Sequence, residues 1–206
     1  MNTCWFFGDS FTRGEGCNKG ERYYELTYKE GCKRWTEIVS EYLGCVEKNC
    51  GWGGNSNQHI LHELICNINN FKENDWVIVG DTRAHRIVRF EEDGSVLNVI
   101  NDLDVNYQRN GNIASLNFIM DEIVPNEKYH LEYYQKMFAS LLDFLKSKNI
   151  NTLYWKHTDY WYPLHKMESI TQATKGNIRD GHYSWKSHKT KANLIISKIS
   201  NTIKLI

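Results

Sequence analysis

The chain has 206 residues, 41% of them hydrophobic and 24% charged, and its 25 basic and 25 acidic side chains give a formal net charge of zero. The apolar content suffices for one sizeable core, and the even charge excludes a binder of nucleic acid driven by a basic surplus. No apolar run approaches the roughly 20 residues of a membrane span, and the opening Met-Asn-Thr-Cys-Trp-Phe-Phe has no basic n-region or cleavage site, so a cytoplasmic protein is expected.

In chain order, residues 3–8 form an apolar run that predicts a buried strand, followed by a loop rich in Gly, Lys and Glu to residue 31. Trp35, Ile38, Val39, Tyr42 and Leu43 then fall on one helical stripe, and Gly44 is placed to end the helix. A short strand is expected over 45–49, then a glycine-rich turn, Cys50-Gly51-Trp52-Gly53-Gly54, with Asn55, Ser56 and Asn57 offering an N-cap. Ile60, Leu61, Leu64, Ile65 and Ile68 give a second helical stripe, and Asp75–Gly80 is a continuous apolar run of the kind a central parallel strand requires. Beyond it, "FEEDGSVLNV" predicts a hairpin about Asp93-Gly94, within a less regular segment, 87–125, that reads as an insert or lid. A long helix over about 126–148, a strand over 151–157, a loop over 158–179 and a last helix over about 186–203 complete the chain.

Strands alternating with helices predict an α/β protein, a three-layer α/β/α sandwich around a parallel sheet, organised as one domain over 1–206. Ligands of such sheets bind beyond the carboxyl ends of the strands. Six cysteines without a C-x-x-C pair read as reduced, mostly buried thiols rather than a disulfide frame or a zinc site. His157, Asp159 and His165 match no recognised ligand spacing, so no metal or cofactor is expected.

Four segments meet at the predicted carboxyl edge: Gly8–Ser10, Asn49–Asn57, Gly80–Arg86 and the loop before the last helix. Gly-Asp-Ser is ordinary turn chemistry, but Ser10 is also well placed for a nucleophile. Asp180 and His182 are two apart, so an extended stretch turns both side chains the same way. The imidazole can then face Ser10 while the carboxylate orients it. His182 is preferred to His188 as the base because it lies nearer Asp180. Backbone N–H groups of the glycine turn and of Ser10, with the side chains of Asn55 and Asn57 near by, are candidate donors to an oxyanion. Asp81 and Arg86 are candidates for either a surface ion pair or a binding role.

These motifs carry a family resemblance. "FFGDSFTRGEG", "NCGWGGNSNQHI", "VIVGDTRAHR" and "RDGHYSWKSH" resemble, in order, the four motifs of the SGNH/GDSL hydrolase superfamily, nearest in flavour to SGNH-like proteins often encoded by tailed bacteriophages. The resemblance implies a flavodoxin-like fold and a serine esterase without a cofactor, with Ser10, His182 and Asp180 as its triad. It implies an oxyanion and substrate-binding site drawn from Gly54, Asn57, Thr82, Asp9 and Arg86. It further implies an O-acyl ester substrate, first of all an acetylated carbohydrate, for which the aromatic segment "HTDYWYPLH" is a suitable wall. Two positions depart from the family pattern: Asp-x-His replaces Asp-x-x-His, and Thr82 stands where the third motif has asparagine. The missing asparagine, with the insert, motivates the alternative of a binding or virion-associated structural protein with phage partners.

Overall fold

The computed structural model describes residues 1–15, 17, 33–83, 86–90, 96–99, 126–157, 172 and 181–203. Four parallel strands form the main sheet in the order β2-β1-β3-β6: β1 (Thr3–Phe7), β2 (Val46–Asn49), β3 (Trp76–Gly80) and β6 (Asn151–Trp155). This is the flavodoxin-like order, and it makes β1 and β3 central. Both therefore read as unbroken apolar runs, because each face of a central parallel strand is covered.

Strand alternation sorts the core into two halves. Cys4, Phe6, Trp76, Ile78 and Trp155 face α2 (Trp35–Leu43) and α5 (Trp185–Ile203), where they meet Trp35, Val39, Ala192, Ile195 and Ile199. Trp5, Phe7, Val77 and Val79 face the opposite way, toward α3 (Asn57–Cys66) and α4 (Glu127–Lys146), and meet Ile60, Leu64, Phe138, Leu142 and Leu145. The expected three-layer sandwich is thus present, with α2 and α5 on one face and α3 and α4 on the other. The helices α2 and α3 turn their predicted apolar stripes inward, although Tyr42 and Ile65, at the margins of those stripes, are exposed.

The start of β1 is tied down by one carboxylate. Asp75, buried just before β3, accepts from Thr3 N at 2.8 Å, Trp5 Nε1 at 3.2 Å and Lys72 N at 3.0 Å. The predicted hairpin is β4 (Ile87–Phe90) paired antiparallel with β5 (Val96–Val99), with Phe90 opposite Val96. The rest of the expected insert and the 158–179 loop lie outside the described residues, apart from Gln172. Cys4, Cys17, Cys45, Cys50 and Cys66 are free thiols. Burial pushes the Cys50 thiol up to about 11 and Cys4 higher still, so neither is a ready nucleophile at neutral pH. No helix among the described residues is long and apolar enough to cross a membrane.

One unexpected element bears on the site. The loop predicted after β1 begins with a single helical turn, α1 (Ser10–Arg13), too short to register as a periodic pattern. At the same carboxyl edge, Gly80 closes β3 with the Trp155 indole lying where a Cβ would stand. Gly80→Ala is therefore expected to lower stability by about 1–3 kcal/mol through overpacking. Urea unfolding should show a lower midpoint with an unchanged m-value.

Candidate active site

The carboxyl end of β1 delivers Asp9 and Ser10 onto the sheet edge. Asp9 is the N-cap of α1 and accepts from Phe11 N through Oδ1 at 3.1 Å. Its Oδ2 accepts from Thr82 Oγ1 at 2.9 Å and from Arg86 Nη1 at 3.0 Å. Arg86 Nη1 also donates to Thr82 Oγ1 at 3.0 Å, so guanidinium, hydroxyl and carboxylate form a closed triangle. Burial opposes charge on Asp9, but Arg86, His157, the Thr82 hydroxyl and the Phe11 amide outweigh it and hold the carboxyl below its usual range.

Of the two roles open to Asp81 and Arg86, a mutual ion pair is not formed: Arg86 pairs with Asp9. Asp81 is buried and turns instead toward β6, because it sits at the very end of β3 beside that strand. It accepts from Tyr154 Oη at 2.5 Å, from Gln135 Nε2 at 3.2 Å and from the His157 amide.

The loops after β1, β2 and β3 are lashed together through buried asparagines. Asn55 Nδ2 donates to Gly8 O at 3.0 Å. Asn57 exchanges two bonds with the Thr82 backbone, Nδ2 to O at 2.8 Å and N to Oδ1 at 2.7 Å. Between them, Ser56 caps α3 by accepting from His59 N at 3.1 Å. The glycine turn carries Gly54 at φ 70°, a left-handed conformation that asks for glycine. Trp52 stands exposed on that turn, with the Arg13 guanidinium 5.7 Å from its ring centre.

Ser10 is the first residue of α1 and buried, and among the described residues its hydroxyl makes no hydrogen bond. His182, from the far end of the chain, meets the residue next to Ser10. Phe11, the residue after Ser10, packs against the His182 ring at 5.2 Å between centres, against Tyr183 at 4.6 Å and against His157 at 6.0 Å. His182 Nε2 faces Glu15 Oε2 at 3.1 Å. Asp180 lies outside the described residues.

The sequence-derived set is thus brought together in part. Ser10, Asp9, Thr82 and Arg86 share one cluster, and Asn57 braces it. Thr82 gives its hydroxyl hydrogen to Asp9, so its side chain braces the loop after β1. His188, the other candidate imidazole, is buried in α5 and accepts from Trp35 N at 3.5 Å.

Glu15 and Lys191 escaped sequence reasoning, and His157 was legible there only as a possible metal ligand. Glu15 fell within the first motif, in a loop rich in Gly, Lys and Glu, with no role of its own. His157 is buried beneath Phe11. Lys191 is wholly buried, its Nζ 3.1 Å from the Trp155 ring centre and 5.6 Å from that of Trp35, a cation held by aromatic faces. A signal existed for Lys191: it continues the inward stripe of Ala192, Ile195 and Ile199 one turn earlier, beside His188.

No protein-family model matches the chain, and no curated protein matches it. Among solved structures it is similar to a member of the lipolytic protein G-D-S-L family from Veillonella parvula DSM 2008, at 12% identity over 96% of this chain and 97% of that one, with a TM-score of 0.39. It is similar to an acetylxylan esterase from Geobacillus stearothermophilus, at 14% identity over 96% and 94% of the two chains, with a TM-score of 0.41. It is also similar to an acetyl xylan esterase from the rumen bacterium Butyrivibrio proteoclasticus, at 12% identity over 100% of this chain and 65% of that one, with a TM-score of 0.46.

The buried imidazoles make stability depend on pH. Burial depresses His157 to about 4, helped by Arg86, Arg83 and Lys191 against the pull of Asp9. Burial likewise depresses His188 to about 3. Both rings titrate lower in the folded chain than their ordinary 6.5, so the unfolded chain binds more protons below that pH. Their contribution is full above pH 6.5 and is lost as the pH falls toward 4 and then 3, at about 1.4 kcal/mol per pH unit for each ring. Asp9 adds a further loss below its ordinary 3.8. Urea midpoints measured from pH 7 down to 4.5 should fall steadily, and His157→Gln should flatten that slope; a level profile in the parent chain would contradict the burial of both rings.

Proposed function

We propose that this chain is a serine esterase of SGNH/GDSL type acting on O-acyl esters. One observation carries the reading: Phe11, next to Ser10, packs on His182, so the loop after β1 and the loop before α5 converge on one patch at the sheet's carboxyl edge. A hydroxyl that no described residue engages and an imidazole packed on the next side chain are the two groups acyl transfer asks for first.

In the proposed mechanism Ser10 Oγ attacks the ester carbonyl carbon while His182 accepts the hydroxyl proton. Asp180 orients the ring through its other nitrogen. Negative charge developing on the carbonyl oxygen is met by the backbone N–H groups of Ser10 and Gly54, with Asn57 behind them. The Ser10 amide is suited to this because it opens the helical turn α1, where the first N–H groups have no partner within the turn. His182 then protonates the departing alcohol, and water, activated by the same ring, releases the acid from Ser10. Thr82, Arg86 and Asp9 act one step back, fixing α1 before substrate arrives. An acetylated carbohydrate suits the exposed Trp52 indole at the edge of the glycine turn, a flat apolar face for a sugar ring.

One observation favours the alternative of a non-catalytic binding protein: His182 Nε2 is engaged by Glu15. The two readings part on turnover. Hydrolysis of p-nitrophenyl acetate should be measurable and should fall at least ~1000-fold in Ser10→Ala. The same substitution should change unfolding stability by less than about 1 kcal/mol, since the hydroxyl bonds nothing described. Turnover that survives Ser10→Ala removes Ser10 from the role, and a folded parent chain without turnover supports the binding protein.

A further inference from the structure

Glu15 follows the glycine that ends α1, and its amide donates back to Ser10 O at 3.2 Å, so the residue is fixed to the turn that carries Ser10. Its carboxylate is held from two sides. On one, Oε2 lies 3.1 Å from His182 Nε2, with both side chains about a quarter exposed, at 28% and 26%. On the other, Oε1 fills the place a side chain at Gly53 would take; any Cβ there would strike the carboxylate. The space between the imidazole and the glycine turn, where an acyl carbonyl would have to sit, is therefore occupied by a carboxylate of the chain itself.

The charged groups around this contact come from each element packed on it. Arg13, at the end of α1, reaches toward Gly53 and stands over Trp52. His188 on α5 lies within electrostatic reach of His182. Asp180, two positions before His182, is outside the described residues. A carboxylate only accepts hydrogen bonds, so the Nε2 that faces Glu15 carries a hydrogen. A nitrogen in that state cannot take the proton of Ser10.

We propose that Glu15 is a positioning carboxylate that holds His182 through Nε2 in the resting protein, favours the imidazolium, and yields that nitrogen when an acyl group enters between the ring and the glycine turn. The inference rests on His182 being the base of the proposed esterase. On release the imidazolium gives its Nε2 proton to water, and the lone pair left behind is the one that accepts the Ser10 proton. Glu15 thereby sets the pH above which the site works and competes for the space a substrate carbonyl needs.

The test has two readouts. In chain labelled at histidine, the His182 ring is titrated by NMR in the parent protein, Glu15→Gln and Glu15→Ala. Because an adjacent anion stabilises the protonated ring, both substitutions should move the His182 midpoint to lower pH, and Ser10→Ala should leave it in place. In parallel, the acid limb of kcat/KM for p-nitrophenyl acetate should move the same way, so that below the parent midpoint the Glu15 variants are several-fold faster. Glu15 is part-exposed, and thermal unfolding verifies that both variants are folded. A His182 midpoint that stays put in both variants overturns the proposal, whatever the activity does. A midpoint that moves while the acid limb does not keeps the Glu15–His182 contact and removes His182 as the base.

Discussion

The site depends on one buried ion pair. Asp9 has no exposed side-chain surface and Arg86 little, so each charge is held away from water and needs the other. Removing a partner from such a pair typically costs about 3–5 kcal/mol, because the remaining charge is left without compensation. Here the pair also does geometric work. Asp9 is at once the cap of α1 and the anchor of the loop after β3, so the position of Ser10 follows from the position of Arg86. Threonine at 82 fits this arrangement: its hydroxyl donates to Asp9 and accepts from Arg86 at the same time, which an asparagine side chain cannot do with a single atom.

Around that pair the loops are tied by side chains to backbone rather than by secondary structure. Asn55 to Gly8, Asn57 to Thr82 and Asn49 to Thr12 each cross between loops that leave different strands. Buried amides with both ends satisfied hold a loop far more firmly than apolar contact, since every alternative geometry strands a polar atom. The asparagines are therefore best understood as the frame of the site, with the glycine turn and the first amide of α1 as the surfaces left for a ligand.

Much of this was legible in the sequence. The sheet strands announced themselves through apolar runs or short segments between helices, and the helices through stripes such as Trp35–Val39 and Phe138–Leu145. The Gly8-Asp9-Ser10 turn, the glycine turn and the loop before α5 were placed at one edge by alternation alone. What stayed hidden depends on contacts far apart in sequence. Nothing local marks Asp9 rather than Asp81 as the partner of Arg86; only the direction in which the end of β3 faces decides it. Lys191 reads as a surface lysine until the helix phase is extended through His188. Glu15 lay in a polar segment with no periodicity, and its role rests on the turn made by Gly14, which sends the chain back toward His182.

The central claim is that Ser10 is a nucleophile made reactive by His182. The most direct measurement is covalent: a fluorophosphonate probe, followed by peptide mass spectrometry of the parent chain and of His182→Ala. The account predicts one adduct, on Ser10, that forms in the parent and is lost or slowed by orders of magnitude without the imidazole. An adduct on another residue, none at all on the folded protein, or labelling of Ser10 that is indifferent to His182 would contradict it.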